Sequence, residues 1–188
     1  MVDMRRRRTS VKISPPTYIK NNRETWKVSM GEFAGAVQEY LHKSLSEKHS
    51  SIDWHTEYDI GGTPVDLAGE ALDHVYLIEL EWRRADPADN AAKIFRHLNT
   101  NSIEVTQVTV LQVFTQYYDL KRGGVNSKRK NAEFVGSVAA DTYEELSYTP
   151  ILFPLDPPKR GAEWPSDWQD ITDTVVSDIS HSMVLDQF

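Results

Sequence analysis

The sequence predicts an α/β fold in a single domain, and two observations carry that prediction. Helical and strand patterns follow one another as helix, strand, strand, strand, helix, strand, helix, strand. Within this order the run from His74 to Trp82 is apolar on both faces, with Val75 and Leu77 on one side and Tyr76, Ile78 and Leu80 on the other. A strand of that kind is central and covered above and below. With 188 residues, 39% hydrophobic and 10% aromatic, the chain is long enough to bury one real core.

The first predicted element is a helix over 29–48, with Met30, Phe33, Ala34, Val37, Leu41 and Ser44 on one face. Ser29 and Glu32 have the spacing of a capping box. Glu39 falls opposite the stripe and points to solvent. From Ser51 to Ile60 the chain alternates, with Ile52, Trp54, Thr56 and Tyr58 on one face and Asp53, His55, Glu57 and Asp59 on the other. Gly61-Gly62 closes a two-residue hairpin. Pairing Ile60 with Thr63 then sets Tyr58 opposite Val65 and Glu57 opposite Asp66, which makes Glu57 either a solvent-facing acid or a fourth carboxylate of a site.

After Trp82, Asp86-Pro87 has the pattern of an N-cap with proline at the first helical position. The helix it opens buries Ala88, Ala91, Phe95 and Leu98 and ends near Asn99, with Asn90 and His97 flanking the stripe. Val105 to Tyr118 is a β-branched and aromatic strand. Gly123-Gly124 breaks the chain before a helix over 126–140 that is apolar through Ala132, Val135, Val138 and Ala139. Leu146 to Phe153 is the last strand. Residues 154–165 are proline-rich and linker-like. The closing helix carries Ile171, Val175, Ile179 and Met183 at i, i+4 spacing. The chain thus divides into a basic arm (1–28), a core (29–153), and a linker with an acidic C-terminal helix (154–188).

Composition narrows the function. There is no cysteine, which excludes a disulfide framework, a thiolate zinc site and a cysteine nucleophile. No apolar run approaches the roughly 20 residues that cross a bilayer, and no signal peptide follows the N-terminal arginines, so a soluble, cytoplasmic protein without a membrane partner is expected. The net charge is −7, yet basic residues concentrate locally. Arg5 to Arg8, Lys12, Lys20, Arg23 and Lys27 crowd the N-terminus, and Lys121, Arg122, Lys128, Arg129 and Lys130 form a second group. Such patches either hold a phosphate backbone or are ordinary solvated surface.

The chemistry gathers on the central strand. Glu79 and Glu81 project from one face, one pleat apart. The preceding strand carries Asp66, within a pleat or two of Glu79. Two unit charges about 4 Å apart repel by roughly 4 kcal/mol at an effective dielectric near 20. A divalent cation removes that cost, and oxygen donors of this kind suit Mg²⁺ or Mn²⁺. Alternatively the Glu79/Glu81 end meets solvent and pairs with Arg83 and Arg84.

Pro64-Val65-Asp66, twelve residues, then Glu79-Leu80-Glu81 resembles the PD-(D/E)XK motif of the restriction-endonuclease-like nuclease superfamily. The sequence departs from the pattern twice. One extra residue separates Pro64 from Asp66, and Glu81 stands where most members have lysine, as it does in some restriction enzymes of the superfamily. The resemblance covers roughly 29–153 and implies a restriction-endonuclease-like mixed β-sheet flanked by helices. It also implies Mg²⁺-dependent hydrolysis of phosphodiester bonds, most readily in DNA, of a restriction, defence or repair type. Asp66, Glu79 and the Leu80 carbonyl would be the metal ligands. Glu81 would orient a water, take its proton or ligate a second ion.

Arg83, Arg84, Lys121, Arg122, Lys128, Arg129 and Lys130 are the residues expected at the nucleic acid. Lys93 joins them because some members carry their basic residue on the following helix, although it lies opposite the apolar stripe, where a solvated lysine is the simpler reading. The residues do not separate DNA from RNA, and they leave both a homodimer and a subunit of a larger complex open. The competing function is a non-catalytic nucleic-acid-binding or scaffold subunit that keeps the fold, favoured by the acidic surface and the missing lysine.

Overall fold

The computed structural model describes residues 30–100 and 107–185. The N-terminal arginine run and Ser29 lie outside the described residues, as do positions 105 and 106 of the predicted fourth strand. The chain runs α1 (Met30–Lys48), β1 (Asp53–Ile60), β2 (Thr63–Glu70), β3 (His74–Glu81), α2 (Pro87–Asn99), β4 (Gln107–Thr115), α3 (Ser127–Thr142), β5 (Leu146–Phe153) and α4 (Trp168–Leu185). The five strands lie side by side in chain order. β1, β2 and β3 pair antiparallel, whereas β3–β4 and β4–β5 are parallel. Parallel neighbours need a crossover, and α2 and α3 supply the two. The result is the single-domain mixed sheet flanked by helices that the resemblance implies.

All eight residues of β3 are buried, as expected of a central strand. Tyr76, Ile78 and Leu80 belong to the larger core, formed with Phe33, Val37, Leu41 and Leu45 of α1 and Val175, Val176, Ile179 and Met183 of α4. Val75 and Leu77 face the other way, onto Ala91, Ile94 and Phe95 of α2 and Ala139 of α3. Leu45, not Ser44, completes the α1 stripe. The proline-rich stretch and α4 are packed into the domain, since Leu155 joins the same core as α4. Among the described residues no helix is long and apolar enough to cross a membrane.

The β1–β2 hairpin has the predicted register, with Ile60 opposite Thr63 and Tyr58 opposite Val65. Its turn is made by Gly61 and Gly62, at φ 57° and 88°, a left-handed region that glycine enters without steric cost. A Cβ on Gly61 would also lie 2.8 Å from His97 Nδ1. His97 Nε2 in turn shares a hydrogen bond with Thr63 Oγ1 at 3.0 Å, so the hairpin tip leans on α2.

Strict alternation fails halfway along this hairpin. Trp54 of β1 and Leu67 of β2 sit in the α1/α4 core, whereas Tyr58 and Ile60 of β1 and Val65 of β2 pack on the α2/α3 side. The change of face occurs at Glu57 and Asp66. Glu57 is the one non-glycine residue at positive φ among those described, at 52°. For an L-residue this left-handed conformation costs roughly 1–2 kcal/mol. Gln38 of α1 braces the bend, its Nε2 donating to the Asp66 carbonyl at 2.7 Å and to Glu57 Oε1 at 3.0 Å.

Three further expectations are corrected. β4 ends at Thr115 and residues 116–118 form a 3-10 turn, because Tyr118 folds back against Phe114 and Gln116 N–H bonds to the Leu155 carbonyl at 3.1 Å. Asp86 precedes α2 as predicted but makes no side-chain cap bond. Val138 is 47% exposed, since Gly136 takes the inner position of α3 instead. A Cβ on Gly136 would overlap the Tyr148 ring, and that ring is held by its hydroxyl's hydrogen bond to Gln112 Oε1 at 2.9 Å. Overpacking of this kind costs about 1–3 kcal/mol. Gly136→Ala is therefore expected to lower the melting temperature by at least roughly 2–4 °C, and an unchanged melt would show that Tyr148 gives way freely.

Candidate active site

The site forms where β2 parts from β3. Their ladder runs from Glu70 opposite Val75 to Leu67 opposite Ile78, and the next pair in that register is Asp66 with Glu79. Instead of continuing the backbone ladder, the Leu80 N–H donates to Asp66 Oδ2 at 2.6 Å. A strand residue's N–H and C=O point to the same edge, so the Leu80 carbonyl also faces this gap. The bend at Glu57 and Asp66 opens the gap, and the continuous pairing of β3 with β4 through Glu81 opposite Phe114 keeps its other wall rigid.

Glu79 and Glu81 are 4% and 0% exposed. Burial is the largest cause raising the Glu79 pKa, and the charges of Asp66 and Glu81 add to it, pushing the group up to about 9 despite the opposing charge of Arg84. Asp66 is also raised by burial, opposed by its bond to Leu80 and by Arg84, with Glu57 adding a smaller repulsion. Glu81 is raised by burial, against the hydrogen bonds from Gln112 and Asn90 and the charge of Arg84. Three acids thus share a poorly solvated space in which ionising all of them is costly.

Glu81 lies deepest. Its Oε1 accepts from Gln112 Nε2 at 2.8 Å and from Asn90 Nδ2 at 3.1 Å. Gln112 also donates to the Pro87 carbonyl at 3.0 Å and accepts from Tyr148, which ties β4, β5 and the start of α2 to one carboxylate. Oε2 is buried with no hydrogen-bond partner. Asn90 in turn accepts from Arg84 Nη1 through its Oδ1 at 2.9 Å.

Among the described residues no three His, Cys, Asp or Glu side chains form a cluster able to hold a metal ion. The set implied by the resemblance is smaller, two carboxylates and a carbonyl, all hard oxygen donors. Their crowding in low dielectric fits a divalent cation, which would relieve the repulsion.

The other candidates divide. Arg84 reaches the carboxylates through Asn90 and lowers the proton affinity of all three. Arg83 turns away, bonding Asp156 Oδ1 at 3.2 Å and the Pro157 carbonyl, and lying over the Tyr117 ring. Arg129 is committed to Glu133 at 2.7 Å, Asp119 at 3.9 Å and the Phe114 ring. Both arginines tether the chain instead of standing ready for a phosphate. Lys121, Arg122 and Lys130 are exposed, Lys128 is half-buried, and none of them enters the carboxylate network.

Lys93 pairs with Asp89 at 2.6 Å along the outer face of α2. Exposed pairs of this spacing are worth about 0.3–0.5 kcal/mol, so Lys93→Ala should leave both the melting temperature and any cleavage rate essentially unchanged. A large loss of cleavage would return Lys93 to the site. Gln38, Gln112, Tyr118 and Tyr148 were not expected at the site. Gln112 carried a signal, an amide between Leu111 and Val113 in the middle of a strand rich in apolar residues. The others reach the site through tertiary contacts that no local pattern encodes.

No protein-family model matches the chain, and no curated protein matches it. Two solved structures are similar. One is a complex of EndoMS with dsDNA2, at 18% identity and a TM-score of 0.39, covering 78% of this chain and 51% of that one. The other is a repair endonuclease from Pyrococcus abyssi, at 18% identity and a TM-score of 0.33, covering 74% and 50% respectively. The chain spans about half the length of each, and at this level of likeness the site rests on its own geometry.

Proposed function

We propose that this chain is a metal-dependent nuclease that hydrolyses phosphodiester bonds in DNA. The observation that carries the proposal is the gap between β2 and β3, where Asp66 and Glu79 come together beside the Leu80 backbone. Asp66, Glu79 and the Leu80 carbonyl would hold one Mg²⁺ or Mn²⁺. When bound, the cation polarises the scissile phosphate and makes its water more acidic.

The residues of the chain do the rest. Asp66 is oriented by the Leu80 N–H, and Glu79 by the rigid pairing of β3 with β4. In the reaction a water oxygen bonds to phosphorus while the P–O ester bond opposite it breaks. That bond's electron pair leaves with the sugar oxygen, which takes a proton from solvent. Glu81 Oε2, the buried oxygen without a partner, takes the proton that the water gives up.

A second function, a non-catalytic scaffold, is favoured by one observation: Glu81 Oε1 is already saturated by Asn90 and Gln112. The test is incubation of supercoiled plasmid with Mg²⁺, with Mn²⁺ and with EDTA. Nicked or linear products are expected with metal and none with EDTA. An intact plasmid in both metals would leave the scaffold.

A further inference from the structure

A phosphodiester gains negative charge on its non-bridging oxygens as water attacks, and a site without a cation at position 81 has to meet that charge from elsewhere. Resting on the nuclease reading, we infer that Arg84 is the catalytic cation of this site, aimed by the positioning residue Asn90, which Glu81 orients through its Oε1. Two independent sets of contacts point there. The Arg84 backbone is clamped by a single buried hydroxyl: Tyr118 accepts from the Arg84 N–H at 3.1 Å and donates to its carbonyl at 3.4 Å. Tyr118 is fully buried against Phe114, so the point from which the side chain departs is fixed.

The guanidinium is fixed at one corner only. Arg84 Nη1 donates to Asn90 Oδ1, and among the described residues no ion pair commits Arg84 to a carboxylate within 4 Å, unlike Arg83, Lys93 and Arg129. The residue as a whole is exposed, so its remaining donors are open to a phosphate, in the fork geometry that matches two of its oxygens.

Asn90 can hold Arg84 only because position 81 is an acid. A side-chain amide has one acceptor and one donor end. Glu81 Oε1 accepts from the Nδ2 end of Asn90, which turns Oδ1 toward Arg84. A lysine at 81 donates only. It would draw Oδ1 to itself and present Nδ2 to the guanidinium, donor against donor. Glutamate at 81, asparagine at 90 and arginine at 84 are therefore one matched set.

The test is single-turnover cleavage of a DNA duplex in Mg²⁺ by wild type, Arg84→Ala, Arg84→Lys, Asn90→Ala and the Arg84→Ala/Asn90→Ala double variant. Duplex affinity is measured in parallel with Ca²⁺. Arg84→Ala is expected to slow cleavage by about 100- to 1,000-fold with a much smaller change in affinity. Guanidinium ion at sub-denaturing concentration should restore part of the rate to it, and none to wild type. Arg84→Lys should stay well below wild type because the fork is lost. Asn90→Ala should slow wild type but add nothing to Arg84→Ala, since a residue that acts only through another is non-additive with it. Wild-type cleavage with an Arg84→Ala variant that keeps its rate, or that guanidinium does not restore, overturns this inference and leaves the nuclease standing. Wild type that cleaves nothing removes both.

Discussion

Glu79→Ala is expected to reduce metal-dependent cleavage by at least about 1,000-fold, the largest effect of any single substitution in this chain. Glu79 feels the charges of both Asp66 and Glu81. It faces Asp66 across the opened ladder, and its charge and that of Glu81 act on each other from one face of β3. Without it the cation keeps one carboxylate and a carbonyl, too little charge to bind at ordinary concentrations or to polarise a phosphate. Cavity formation is not an alternative cause of the loss. Removing a buried acid that its neighbours repel relieves the fold, so the metal-free variant should melt at or above the wild-type temperature. A cleavage rate within tenfold of wild type would show that the metal, if one acts, is held elsewhere. A variant that melts well below wild type would point instead to a structural ion pair broken by the substitution.

Much of the frame was legible because it is written in local periodicity. The doubly apolar run of β3, the Gly61-Gly62 turn and the bounds of β5 all follow from patterns within ten residues. The same register places Asp66 across from Glu79. What the sequence concealed depends on contacts between distant elements. No propensity predicts a left-handed glutamate, so the bend at Glu57 that turns the outer hairpin onto α2 could not be read, and with it went the braces from Gln38. Charge counting also left out the partners of the arginines. A cluster of basic residues says nothing of acids brought in from elsewhere, such as Asp156 for Arg83 or Glu133 and Asp119 for Arg129. Asn90 was visible as a polar residue beside an apolar stripe, but its link from Glu81 to Arg84 needs the strand and the helix in three dimensions.

The stability of the metal-free protein should fall as pH rises, and metal should offset part of that fall. Glu79 has an ordinary pKa of 4.5 in the unfolded chain and is pushed up to about 9 in the fold, first by burial and then by Asp66 and Glu81. Below 4.5 the group is protonated in both states, and its neutral form is fully accommodated. Between the two values the folded protein holds a proton that the unfolded chain has lost, so stability declines with a negative slope. The decline ends near the folded pKa, where folding must bury the ionised acid. Its size is on the order of 6 kcal/mol over the whole window, which for a chain of this length is roughly 12–24 °C in melting temperature. Glu79→Gln removes the titrating group and should flatten the profile over the same window. Mg²⁺ or Mn²⁺ needs the ionised acid and displaces its proton, so the rise in melting temperature on adding metal should be small at about pH 5 and grow toward pH 8. At about 100 times its dissociation constant a cation adds about 2.7 kcal/mol, offsetting a little under half of the loss, and Glu79→Gln should show almost none of this gain. Melting curves of both proteins across that range, with metal and with EDTA, separate the outcomes. A wild type that is flat with pH and indifferent to metal would mean that Glu79 is already neutralised by a partner within the fold, which is what a scaffold requires and a nuclease does not.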